Sequence, residues 1–164
     1  MSGLACAERD VSLILIWIIL SFMLLAAPDF FVINHRPDLD VLTARWMQLV
    51  TLDEMCQGYE ALLSAATHYN CRQWLIDTRR RANTDREGAS WMISSFLPRL
   101  QPTLGGRTAL AYLLAPVSLR DPAADAAFPP LSYFNDKPFI AERFIEEGAA
   151  ITWLQQFRPL PEHA

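Results

Sequence analysis

The chain has 164 residues, of which 52% are hydrophobic and 20% are charged, and its formal net charge is -4. This is the length and composition of one ordinary domain that can bury a core, which excludes a disordered or collagen-like chain. The negative charge argues against a general nucleic-acid binder, because such proteins need an excess of Lys and Arg to displace counterions from phosphates.

The first predicted element is Val11–Ala27, seventeen residues without a charge inside an apolar segment at 1–28. As a helix it is roughly 25 Å long, which is marginal for crossing a bilayer. Residues 8–10 carry a net negative charge, whereas a signal peptide needs a positive one. Three interpretations stay open: a true start at Met23, an N-terminal membrane anchor, or a poor signal peptide. The first predicts a cytoplasmic protein, and the second a membrane-anchored one.

The domain predicted at 29–158 opens with two short runs rich in aromatic and branched residues, Phe30–Asn34 and Val41–Met47. A proline and two aspartates separate them, which indicates a turn and therefore a β-hairpin. A capping box then begins at Thr51, and apolar residues follow at three- and four-residue spacing. This pattern predicts an amphipathic helix that ends at about His68.

The middle of the chain predicts two buried strands separated by a helix. Gln73–Asp77 is a buried-type strand that ends in aspartate, and Thr84 together with Glu87 forms a second capping signal for the helix that follows. Pro98 should kink or shorten this helix. The nearly continuous apolar run Thr108–Ala115 is typical of a strand covered on both faces.

The last third predicts a long loop, a strand and a closing helix. The segment 116–138 holds five of the eleven prolines, which favours an irregular loop with one helical turn at Pro122–Ala127. Phe139–Phe144 reads as a strand and 146–157 as a helix, before a short tail at 159–164. Together these elements predict a single α/β domain with a mixed sheet of about five strands and three to four helices.

Several local features of this pattern match one family. They are the hairpin followed by the helix capped at Thr51, the apolar strand Trp74–Asp77 ending in aspartate, the next helix, and the ending Glu142–Leu154. Across residues 29–157 the chain resembles the STAS group, the sulphate-transporter and anti-sigma-factor-antagonist domains. It is most similar to the sporulation anti-anti-sigma-like branch, also described as STAS/SEC14-like. The resemblance implies a STAS-like fold and a non-catalytic regulatory module that binds a protein partner.

The phosphorylation switch of this family does not carry over to the chain. In STAS anti-anti-sigma factors, the strand ending in aspartate is followed by Asp-Ser-Ser-Gly at the next helix start, where a serine is phosphorylated. Aligned without gaps from Asp77, this chain reads Asp-Arg-Glu-Gly at 85–88, so neither serine is present. Thr78 and Thr84 are the nearby hydroxyls, and Thr84 is more simply explained as an N-cap. We therefore expect a regulatory module without the serine switch.

The candidate site is the segment that follows the strand ending in Asp77. The carboxyl end of a central strand is where α/β proteins usually bind ligands, and several arginines and a helix start are close in sequence. We predict that this segment binds a protein partner or an anion. The alternative is a solvated surface whose arginines pair with neighbouring acids. The residues assigned to the site are Asp77, Thr78, Arg79, Arg81, Thr84, Asp85, Arg86 and Gly88.

A second hypothesis is a binding domain for an apolar, lipid-like or anionic small ligand. It requires an enclosed pocket, and the proline-rich loop 116–138 would serve as a mobile cover. Four tryptophans could line such a cavity, although their positions on strand and helix faces favour the core. They are Trp46, Trp74, Trp91 and Trp153.

The cysteines predict no disulfide framework and no catalytic dyad. Cys6, Cys56 and Cys71 include no CxxC pair, which is typical of a reducing compartment. Cys56 and His68 lie on one predicted helix, roughly 18 Å apart along its axis, so they cannot form a nucleophile and base pair. We expect Cys56 and Cys71 to be small core residues.

Metal and cofactor chemistry is not predicted either. A magnesium site at Asp38, Asp40 and Asp77 is disfavoured, because the first two are expected as turn residues. His68 and Cys71 are close in sequence but lack a third ligand for zinc. With no convergent acid, base and nucleophile, we expect a protein without catalytic activity, cofactor or metal.

Overall fold

The computed structural model of the protein describes residues 27–81, 86–120 and 128–158 together with residues 122 and 126. The predictions made for residues 1–26 and for the tail at 159–164 lie outside these residues. Within the described part of the chain, no helix is both long enough and apolar enough to cross a bilayer.

Five strands form one mixed sheet whose spatial order follows the chain. β1 runs antiparallel to β2, and β2 to β5 are parallel to one another. Each strand lies within two residues of its predicted range, so the predicted α/β fold with about five strands is confirmed. The strands are β1 (Phe31–Arg36), β2 (Val41–Trp46), β3 (Gln73–Asp77), β4 (Thr108–Leu113) and β5 (Phe139–Phe144).

The described helices are α1 (Leu52–Tyr69), α2 (Arg86–Trp91), α3 (Leu100–Leu104) and α4 (Glu147–Gln155). The capping box predicted for α1 is present. The Thr51 hydroxyl accepts a hydrogen bond from the Glu54 amide, and the Glu54 carboxylate accepts one from the Thr51 amide. These two bonds satisfy amides that a helix start otherwise leaves without partners, and so they fix where α1 begins. The second predicted capping signal begins at Thr84, which lies outside the described residues.

The helix between β3 and β4 is broken where Pro98 was expected to disturb it. A π-helical turn at Met92–Phe96 and a 3-10 turn at Leu97–Arg99 separate α2 from α3. Proline has no amide hydrogen and its ring clashes with the preceding turn, so a regular α-helix cannot run through this position. The bent segment still buries Phe96, Leu97 and Leu100 against the sheet.

The connections between the parallel strands pack on one face of the sheet. Because each parallel strand is added beside the previous one, crossovers of a single hand must all lie on the same side. The α1 helix, the segment from α2 to α3 and the loop residue Phe134 share one core cluster with Trp74 and Leu110 of the strands. The α4 helix covers the opposite face, where Ala150 and Leu154 pack against Leu75 and Leu113.

The large aromatic residues of the first face form a continuous core. Trp46 and Trp74 are completely buried, as predicted, and Trp46 contacts Phe31 and Tyr59 with ring centroids 4.1 and 5.7 Å away. The α1 helix approaches Trp46 closely because Gly58 faces the ring: a Cβ there would lie 2.5 Å from Trp46 Cη2. The half-buried Trp91 and Trp153 pack against the two core clusters.

The proline-rich loop 116–138 is anchored across the first face. It contains 3-10 turns at Pro116–Arg120 and Leu131–Phe134, and the helical turn predicted at Pro122–Ala127 falls mostly outside the described residues. Phe128 packs edge-on against Tyr112 of β4, with ring centroids 6.1 Å apart. Phe128 therefore lies beside the carboxyl end of β4.

Candidate functional site

Asp77 forms the charged centre of the segment predicted as the site. Its side chain is only 8% exposed and accepts hydrogen bonds from both Arg79 and Arg45. The Arg79 guanidinium binds it in a two-pronged contact of 2.9 and 2.7 Å, and Arg45 Nε lies 2.9 Å from Asp77 Oδ2. Burial alone would raise the pKa of Asp77, but the bonds from Arg79 and then Arg45 outweigh it and hold that pKa below its usual value.

Of the two residues after β3, Thr78 is not on the exposed surface that the sequence suggested, whereas Arg79 is. Thr78 is 4% exposed, and its hydroxyl donates to the Leu113 carbonyl 3.1 Å away. This hydroxyl is therefore used inside the fold and is closed to a modifying enzyme. Arg79 is half-exposed, and its guanidinium is paired with Asp77.

Some of the remaining predicted residues face the interior and others are exposed. Arg81 lies over the Trp46 ring at 5.3 Å, and its guanidinium lies 2.6 Å from Met55 Sδ, so it faces inward, as does the buried Gly88. Arg86 is exposed, and Thr84 and Asp85 lie outside the described residues. The structure thus brings Thr78, Arg81 and Gly88 together at one internal site.

That internal site is a pocket of about 140 Å³ on the first face of the sheet. Its floor is formed by Tyr112 and Ala141 of the strands, and its sides by Tyr59 of α1 and by the α2 segment. Phe128, Pro129 and Phe134 of the proline-rich loop complete its lining. The described residues that line it are Tyr59, Thr78, Arg81, Gly88, Ala89, Met92, Ile93, Leu97, Tyr112, Leu114, Ser118, Phe128, Pro129, Phe134, Ala141 and Arg143.

The polar groups that the described residues contribute to the pocket are neutral or positive. Burial raises the pKa of both Tyr59 and Tyr112, that of Tyr112 well above its usual value. Both phenols are therefore uncharged at neutral pH. Arg81 and Arg143 supply two guanidinium groups, and Arg143 lies 4.5 Å over the Phe128 ring. None of the described lining residues is Asp or Glu.

Three residues of the pocket were not identified from the sequence: Tyr59, Tyr112 and Arg143. The apolar spacing after Thr51 places Tyr59 on a packed helix face, and the apolar run Thr108–Ala115 places Tyr112 in a buried strand, so neither pattern indicates a pocket. Arg143 alternates with Phe139 and Ala141, which are both buried on the first face. A charged residue in register with two buried positions, near the carboxyl end of a strand, is a signal that could have indicated a polar group in a pocket.

The other candidate chemistries do not assemble at this site. Asp38 pairs with Arg36 in the hairpin turn, at the opposite end of β2 from Asp77. Cys71 is completely buried, and burial raises the pKa of its thiol to about 11. Burial also raises the pKa of Cys56. Neither thiol is ionised at neutral pH, so neither is an activated nucleophile.

The fold and the pocket define an α/β domain with a half-open, mainly apolar cavity beside the carboxyl ends of parallel strands. No protein-family model, curated protein or solved structure matches the chain. The resemblance to the STAS group stays a prediction from the sequence.

Proposed function

We propose that the protein binds a small ligand with an apolar body and a negatively charged end, in the pocket beneath the proline-rich loop. The observation that supports this function is the combination of apolar walls with two guanidinium groups and no acidic residue among the described lining. Most of a ligand's burial energy comes from apolar surface, and a few placed polar groups set its orientation and specificity.

The volume of the pocket favours a compact ligand over a lipid chain. A cavity of roughly 150 Å³ lined by aliphatic and aromatic residues holds one benzene molecule. The pocket has a similar volume, about 140 Å³, and thus suits a body of one ring or a short branched chain. An aromatic or branched carboxylate fits these dimensions.

The two arginines are suited to the charged end of such a ligand. A guanidinium can donate two parallel hydrogen bonds to a carboxylate, which makes this pairing strong and directional. Arg81 is held on Trp46 and Arg143 on Phe128, so both guanidiniums are already oriented by aromatic rings. The uncharged hydroxyls of Tyr59 and Tyr112 add hydrogen-bonding groups without repelling an anion.

Benzoate is expected to bind more tightly than benzylamine, which has a ring of the same size and the opposite charge. One charge-assisted hydrogen bond contributes about 1.5–3 kcal/mol, so the affinity should differ by about tenfold to a hundredfold. Titrations followed by the amide NMR signals of Tyr112, Phe134 and Arg143 would measure both affinities and locate the ligand.

A matched pair of arginine variants tests whether the charge of the pocket is responsible. Arg143→Met keeps the length of the side chain and removes the charge, and it should weaken benzoate binding about tenfold or more. Arg80→Met removes the same charge from an exposed residue that does not line the pocket, and it should have no effect. Equal affinity for benzoate and benzylamine, or equal loss in both variants, would contradict the proposal.

Binding of a protein partner is the second candidate function. It is supported by the exposed Arg80 and Arg86 on the segment after β3, although Arg81 of the predicted surface faces the pocket. Alanine at Arg80 and Arg86 should then weaken partner binding and leave benzoate affinity unchanged. In this form the protein would be a STAS-like regulatory module without the serine switch.

A further inference from the structure

A separate cluster of side chains lies at the other end of the sheet, where β1 ends, β2 begins and α1 ends. His35, Asp40 and Cys71 each place one potential ligand atom there, and these atoms lie within 4.8 Å of one another. His35 comes from β1, Asp40 from the turn before β2, and Cys71 directly follows the residue that caps α1. Three separate segments of the chain thus converge on one point.

The histidine of this cluster has a polar atom that nothing in the described structure satisfies. His35 Nε2 is buried and has no hydrogen-bond partner among the described residues. The imidazole is stacked on Tyr69, with ring centroids 4.3 Å apart, which restricts its orientation. Buried polar atoms in proteins nearly always have partners, and a bound ion is one accepted explanation when the protein supplies none.

The surroundings favour a cation at this point. The C-terminal end of α1, an 18-residue helix, lies beside the cluster, and a helix C-terminus carries partial negative charge. Asp40 adds a carboxylate from a backbone in the left-handed region, with φ of 53°. His35 and Asp40 are half-buried, and Cys71 is fully buried.

We propose that His35, Asp40 and Cys71 form a binding site for a divalent transition metal, with Zn²⁺ as the ion that best fits the donors. Nitrogen, thiolate and carboxylate ligands together suit zinc, whereas calcium and magnesium prefer oxygen alone. Zinc bonds of about 2.0–2.3 Å place ligand atoms roughly 3.5 Å apart, so side-chain shifts of about 1 Å complete the site.

Binding converts the Cys71 thiol into a thiolate ligand. The sulfur–metal bond forms as the thiol proton leaves to solvent, so one proton is released for each ion bound through this residue. Three protein ligands leave a fourth tetrahedral position, which water can occupy. A metal bound here links the hairpin turn to the end of α1. The site lies at the opposite end of the sheet from the ligand pocket.

The test uses the full chain, freed of metal with a chelator and then titrated with Zn²⁺ against a chromophoric chelator. Asp40→Asn keeps a residue that tolerates the left-handed backbone, and His35→Phe keeps a ring that can stack on Tyr69. Either change should weaken zinc binding about a hundredfold or more, because even loss of a residue that only supports a ligand costs 10–100-fold. In the unsubstituted chain, Co²⁺ should give the near-ultraviolet charge-transfer band of a thiolate–cobalt bond.

Matched controls remove the same residue types from α1. His68→Gln and Cys56→Ser lie outside the cluster and should leave zinc affinity and the cobalt spectrum unchanged. Asp40→Asn and His35→Phe both keep the buried Cys71. The test therefore does not depend on whether the chain folds when Cys71 is replaced. Zinc binding that is absent, or equally tight in Asp40→Asn and His35→Phe, overturns the proposal, as does a cobalt complex without the thiolate band.

Discussion

Replacing Gly58 by alanine is expected to lower the free energy of unfolding by about 2–3 kcal/mol. The new Cβ would lie 2.5 and 2.9 Å from two carbons of the Trp46 ring and 3.2 Å from Phe31. Both aromatic residues are completely buried, so the ring cannot move aside without disturbing Tyr59 and its neighbours. The overpacking therefore outweighs the gain of up to about 1 kcal/mol that alanine brings to a helix interior.

Gly148→Ala is the matched control, because it lies in α4 and its Cβ would meet no atom within 4 Å. We expect that change to be neutral or to stabilise by about 0.5–1 kcal/mol. Denaturant unfolding of both variants measures the difference. Trp46→Phe should lower the free energy of unfolding by less in the Gly58→Ala variant than in the unsubstituted chain, because the smaller ring makes room for the methyl group. Equal stability of the two alanine variants would show that α1 does not depend on this close approach.

Asp77→Asn is expected to lower the free energy of unfolding by about 2–3 kcal/mol at neutral pH. The carboxylate is nearly buried and accepts charge-assisted bonds from Arg79 and Arg45, which asparagine cannot replace in number or charge. The loss is limited because both arginines are about half-exposed and can return to water. Chemical unfolding at pH 7 measures it.

The same variant should change how stability depends on pH. The pKa of Asp77 is lower in the folded protein than its ordinary value of 3.8, so this group's contribution is fully present above about pH 4 to 5. It is lost as the pH falls through the folded pKa, and the difference between the two proteins should shrink in acid. Asp38→Asn is the control, since Asp38 makes a similar contact with Arg36 but both side chains are exposed. A similar loss in both variants would contradict the role of burial.

The secondary structure was predictable because it depends on short-range patterns. The alternation of apolar residues, the capping box at Thr51 and the missing amide of Pro98 all act within a few residues of the chain. The hand of the helical connections was also predictable, because connections between parallel strands nearly always cross over with one hand, but the order of the strands in the sheet was not predicted. These rules do not depend on which side chains meet across the fold.

The site depends on contacts between distant segments, and the sequence interpretation reached it only in part. Arg81 and Gly88, which the sequence analysis placed in the candidate site, line the pocket, but the orientation of Arg81 follows from the packing of Trp46 against α1. Arg143 lines the pocket from β5, which follows a long loop. It is therefore far in sequence from the other polar residues of the pocket. The meeting of His35 with Cys71 likewise needs the whole of α1 to be in place. No local spacing encodes such contacts.

The order of the sheet also bears on how the chain is made. After the hairpin, each new strand pairs with the strand that precedes it along the chain, from β2 to β5. A chain leaving the ribosome can therefore extend its sheet one strand at a time. It never has to leave a gap in the sheet for a strand that has not yet been synthesised. Folds that insert a late strand between two early ones must expose an unpaired edge during that delay, and such edges promote aggregation. Here the growing edge is always the strand made last.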